Sequence, residues 1–146
     1  MGIYDYKVTA ADGTEVSLSD YQGKVILIVN TATGCGFTPH YEPIEKMYED
    51  FHDQGFEVID VPCNQFAGQT PGTDEEIHEF CTLKYKTQFP QMKKSNVNGP
   101  DAIPLFTYLK SQKGFEVLKR SCGKCRIKKK YVSIIARKEH SSTVWR

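Results

Sequence analysis

Residues 24–61 constrain the fold more than any other stretch. Five apolar residues, Val25-Ile26-Leu27-Ile28-Val29, follow one another without a polar break and stop at Asn30. A half-exposed strand alternates apolar and polar residues, so an unbroken run predicts a strand buried on both faces. Further on, Tyr41, Ile44, Met47, Tyr48 and Phe51 recur at helical spacing, and Gly55 ends the pattern. Proline is tolerated only in the first turn of a helix, so this helix begins at either Pro39 or Pro43. Phe56-Glu-Val-Ile-Asp-Val61 reads as a second strand. Strand, helix and strand in that order imply a parallel βαβ unit, hence an α/β fold. In open α/β sheets the chemistry gathers at the carboxyl ends of the strands. Cys35 follows one such end and Cys63 the other.

The flanks add smaller elements. Residues 5–18 alternate weakly around Asp12-Gly13, a hairpin turn signal, and residues 17–21 read as a short helical turn. Residues 62–72, PCNQFAGQTPG, are loop by their Pro and Gly content. Thr73 and Glu76 form a capping-box pattern that opens a helix running to about Leu83. Asp101 to Gln112 predicts a further helix with Pro104 in its first turn.

At 146 residues, with 39% hydrophobic and 25% charged, the chain reads as one soluble domain able to build a core without staples. No apolar stretch is long enough for a membrane helix. MGIYDYKVTAADG lacks a basic region followed by an apolar run, and a cytoplasmic location without membrane partners is the expectation. Five cysteines do not suggest a stapled secreted domain; catalysis, metal binding or core packing are their expected uses. The four histidines, at positions 40, 52, 78 and 140, have no metal-binding spacing, so neither a metal nor another cofactor is expected.

Cys35 stands alone between Gly34 and Gly36, just before Thr38-Pro39. A thiol attacks as its thiolate, and a free cysteine ionises near pH 8.5. No Lys or Arg lies within ten residues, so activation falls to backbone N–H groups, a helix N-terminus and neutral amides. The two glycines keep the approach open. A small buried thiol at a tight turn is the alternative reading.

Beyond single residues, NTATGCGFTPHYE resembles the active-site segment of the glutathione peroxidase family, with cysteine where some members carry selenocysteine. VPCNQFAGQTPGTDEEIHEF resembles that family's second signature, in the right order and at the right distance. LIVNTA, FPQM (89–92) and VNGPDAIPLFTYLK also fit, and the resemblance covers residues 1 to about 114. It implies a thioredoxin-like fold and reduction of hydroperoxides. By position, Cys35 matches the peroxidatic residue, whose thiolate attacks the O–O bond and becomes a sulfenic acid. Gln69 matches the amide that hydrogen-bonds the reacting sulfur. Cys81 matches the resolving thiol of members without selenium, which condenses with the sulfenic acid to give an intramolecular disulfide. Thioredoxin, or else glutathione, is the implied reductant. Cys63 matches a position that is mainly structural. Ala67 and Thr70 depart from the family's usual glycine and glutamate.

The remainder, 115–146, does not match. Residues 1–112 hold 8 Lys, no Arg and 16 acidic residues; residues 113–146 hold 7 Lys, 4 Arg and 2 Glu. Net charge therefore swings from −8 to +9, and a domain over 1–114 followed by a basic tail is the expected organisation. The family's Trp-Asn block, which completes the donors around the reactive sulfur, has no counterpart: the single tryptophan is Trp145, followed by Arg146. A chimeric or out-of-frame end, a replacement strand within Lys130–Arg137 and a polyanion-binding tail remain open, with nucleic acid not expected as a partner. Cys122-Gly-Lys-Cys125 is a CxxC that reads as redox-active or as half of a zinc site. Impaired peroxidase activity, or a catalytically silent redox sensor or partner-binding protein on the same fold, follows from the missing donors.

Overall fold

The computed structural model describes residues 2–112 and a strand at 134–136. The unbroken apolar run forms β3, Val25–Thr31, and the second run forms β4, Phe56–Pro62. They pair in parallel with Leu27 opposite Val58 and Ile28 opposite Ile59. Between them, a short 3-10 turn at Thr38–His40 leads into α1, Tyr41–Phe51. Pro43 thus falls in the first turn of α1, and Pro39 inside the preceding turn. Gly55, at φ 88°, closes the connection in the left-handed conformation that glycine adopts without strain.

The remaining elements follow the sequence signals closely. A hairpin of β1, Lys7–Thr9, and β2, Glu15–Ser17, surrounds Asp12-Gly13. The turn at Leu18–Tyr21 is a 3-10 helix. Helix α2, Asp74–Tyr85, is capped by the Thr73 hydroxyl and the Glu76 carboxylate in both directions. It continues two residues beyond Leu83, so Cys81 lies inside the helix rather than at its end. Helix α3, Pro104–Gln112, starts at its proline. The strand β5, Ile134–Ala136, pairs antiparallel with β3 and makes it the central strand of the order β4-β3-β5. It falls within Lys130–Arg137, where a replacement strand was one of the open readings. The CxxC and Trp145 lie outside the described residues.

Strand alternation sorts the core into two layers. Ile26 and Ile28 of β3 and Ile59 and Val61 of β4 meet Val8, Leu18, Met92 and the α3 residues Leu105, Phe106 and Leu109. Leu27, Val29 and Val58 face the opposite way, against Tyr41 of α1, Ile77 and Cys81 of α2, and Phe89. Both faces of β3 are covered, which is why its sequence does not alternate.

The buried side of α1 is shifted from the sequence reading. Met47 and Phe51 are exposed, whereas Glu45 is buried because the Gln88 backbone N–H donates to its Oε2 at 3.0 Å. That hydrogen bond ties α1 to the chain just after α2, where Lys86 adopts φ 55°.

Candidate active site

The Cys35 loop begins where β3 ends and is held by one hydroxyl. Thr38 Oγ1 donates to the Ala32 carbonyl at 2.8 Å and accepts from the Cys35 N–H at 2.9 Å. The Thr38 N–H donates to the Cys35 carbonyl at 3.0 Å. The loop is thereby folded back on itself, and the Phe37 N–H points at Cys35 Sγ, 3.5 Å away. Cys35 is 9% exposed, at the border of the interior. The Phe37 N–H is thus a backbone donor that the loop itself supplies to the sulfur, at the entrance to α1.

The second loop docks on the first through backbone. The Gly34 N–H donates to the Gln69 carbonyl at 2.8 Å, and a Cβ on Gly34 would stand 3.3 Å from that oxygen. The close approach is a reason for glycine at 34. Gln69 and Cys35, far apart in sequence, are therefore brought to adjoining loops. Thr70, fully buried, donates its hydroxyl to the Cys63 carbonyl at 2.8 Å and its N–H to Asn64 Oδ1 at 2.9 Å. The threonine in place of the family's glutamate thus pins the loop. Ala67, in place of the family's glycine, sits at φ 58°, a conformation strained for alanine. Cys63 is buried in the core layer under α3, with its thiol 3.5 Å from Gln65 Oε1.

Cys81 occupies a different environment. It is 1% exposed, on the layer between α1, α2 and the sheet. The Gln91 amide nitrogen donates to its sulfur at 3.3 Å, and the Tyr41 hydroxyl stands close by. Tyr41 also donates to Asp60 Oδ2 at 2.9 Å, and the Thr31 hydroxyl donates to Oδ1. Burial, first, and the Asp60 carboxylate push the Cys81 thiol upward, while the Tyr41 and Gln91 donors pull against them. Asp60 itself is pushed up to about 6 by burial, against the pull of its three donors. Among the described residues, Cys35, Cys63 and Cys81 form no disulfide with one another.

Of the three residues expected at the site, Cys35 and Gln69 share one pair of loops, and Cys81 is seated in a buried polar cluster with Tyr41, Asp60 and Gln91. Those cluster members were not anticipated. The signal was present for Asp60, a carboxylate set between Ile59 and Val61 in a strand, and absent for Gln91, whose role depends on tertiary contact. Among the described residues, no group of three or more His, Cys, Asp or Glu could hold a metal ion. No helix among them is long and apolar enough to cross a membrane.

A parallel β-α-β core with a cysteine at the strand-to-helix corner places the chain in the thioredoxin-like fold class. The family model for glutathione peroxidase matches residues 3–110. The chain belongs to the glutathione peroxidase family. A glutathione peroxidase of Lactococcus lactis subsp. cremoris is 49% identical over 112 residues, covering 77% of this chain and 71% of that protein. A glutathione peroxidase-like peroxiredoxin 2 of Saccharomyces cerevisiae is 47% identical over 120 residues, covering 80% and 74%. The crystal structure of Trgpx in apo form superposes with a TM-score of 0.61 at 39% identity, covering 78% of this chain and 67% of that one. The chain thus spans roughly two thirds to three quarters of these proteins. Other relatives are covered to less than two thirds of their length, among them a hydroperoxy fatty acid reductase of Synechocystis at 63%.

Proposed function

We propose that the chain reduces hydroperoxides through a two-cysteine cycle. The Cys35 thiolate attacks the terminal oxygen of the hydroperoxide. The S–O bond forms as the O–O bond breaks, and the departing alkoxide or hydroxide takes up a proton. Cys35 is left as a sulfenic acid, two electrons more oxidised. Gln69 supports the charge on sulfur and on the departing oxygen as a neutral donor. Cys81 then attacks the Cys35 sulfur. The S–S bond forms, the S–O bond breaks, and hydroxide leaves with the Cys81 proton as water. An external dithiol of thioredoxin type, or glutathione, returns both sulfurs to thiols.

The observation that carries this reading is the docking of the Gln69 loop on Gly34 at 2.8 Å, which sets the amide-bearing loop beside the Cys35 corner. The relatives' names, glutathione peroxidase and peroxiredoxin, support peroxide as substrate and a thiol as reductant. The test is hydroperoxide-dependent NADPH oxidation through a thioredoxin system, comparing the native chain with Cys35→Ser. Turnover by the native chain alone is the expected result; equal NADPH consumption by both proteins would refute it.

A further inference from the structure

Beside Cys81 lies a buried carboxylate that the peroxide step does not use. Asp60 shares a strand face with Val58 and is wholly enclosed. Four neighbouring elements face it. Thr31 comes from β3, Tyr41 from α1 and Cys81 from α2, while Gln91 follows α2 and bridges to the Asp60 backbone. None of these brings a positive charge. The titratable ones, Tyr41 and Cys81, are both raised by burial above their ordinary values and so stay neutral near pH 7. A carboxylate surrounded by neutral dipoles is costly to ionise in the interior.

A second unfavourable group lies at the same place. The Gln91 amide nitrogen is shared between Asp60 Oδ2 at 3.2 Å and Cys81 Sγ at 3.3 Å, and its Oε1 is buried with no hydrogen-bond partner. An orphan acceptor and a buried carboxylate met only by neutral donors therefore come together at the seat of one thiol. Both would be hydrated if α2 moved away.

We propose that Asp60 regulates the release of Cys81. The enclosure of its carboxylate by Tyr41, Gln91 and α2 is relieved when α2 opens, so the thiol leaves its seat more readily when Asp60 is ionised than when it is protonated or replaced by asparagine. Asp60 is a positioning residue here, and its importance for turnover rests on the reading of Cys81 as the resolving thiol. The sign follows from linkage. In the closed form Asp60 holds its proton up to about 6, whereas once hydrated it returns to the ordinary carboxylate value of 3.8. Acidification through that window favours the closed form, and rising pH favours opening, with the full effect above about 6.

The experiment uses the full chain, reduced and without peroxide. Cys81 is labelled with dithiodipyridine and followed by peptide mass spectrometry. Each rate is divided by that of the same cysteine in the chain unfolded in urea at the same pH. The normalised rate should rise about tenfold between about pH 5 and about pH 7.5 in the native chain. It should be flat in Asp60→Asn. In Tyr41→Phe, which removes a donor to the carboxylate, the rise should move to higher pH, a displacement that mere loosening of the fold would not produce. The failure of the resolving role is read separately, as a missing Cys35–Cys81 disulfide in peroxide-treated protein. A flat native profile, or an unchanged rise in Asp60→Asn, overturns the proposal.

Discussion

The two thiols proposed to cooperate sit in opposite kinds of environment. Cys35 lies at a loop corner, held by Thr38 and met by the Phe37 N–H. Cys81 lies inside α2, covered by Tyr41 and Gln91 and raised by burial beside a carboxylate. The first is arranged by the Thr38 hydroxyl and the backbone N–H groups of one short loop. The second is arranged by side chains that favour the neutral thiol. The difference matches the order of events proposed above, in which Cys35 meets the peroxide first and Cys81 follows.

The sharpest way to break the comparison is to remove the withheld thiol. Cys81→Ser should still form the Cys35 sulfenic acid, trapped by dimedone, yet lose thioredoxin-coupled turnover. If steady-state turnover survives unchanged, Cys81 has no part in the cycle. Gln69→Ala should come next, with a loss of about 10²-fold in the second-order rate of Cys35 oxidation, measured by competition with a reference thiol. A loss under threefold would mean that the adjoining loop only packs. The smallest expected effect is on stability. Ala67→Gly should raise unfolding free energy by about 1 kcal/mol in urea titration, because glycine accepts φ 58° without strain. A destabilised variant would show that the Ala67 methyl group packs usefully.

Much of this was legible in the sequence, and the exceptions have physical causes. The unbroken run of β3, the capping box of α2 and the Gly55 stop are local signals, and local structure followed them. The Cys35 corner was legible because Thr38 and its neighbours are local too. Glu45 was not, since a carboxylate on a helix reads as solvated unless a distant N–H, here that of Gln88, arrives to meet it. Nor was the Cys81 seat: Thr31, Tyr41, Asp60, Cys81 and Gln91 come from five segments, and only the pairing of β3 with β4 and the packing of both helices collect them. The sequence pattern ends α2 near Leu83, two residues short of its observed end. The helix continues through Tyr85 because that ring stacks on Tyr41 at 5.4 Å, a tertiary contact.

The division of labour between the sulfurs is tested most directly by treating the reduced chain with one equivalent of hydrogen peroxide, quenching, and mapping its peptides without reduction. The account predicts a Cys35–Cys81 disulfide with Cys63 still a free thiol. Oxidation that begins at Cys81, or a Cys35 left untouched by peroxide, would contradict it.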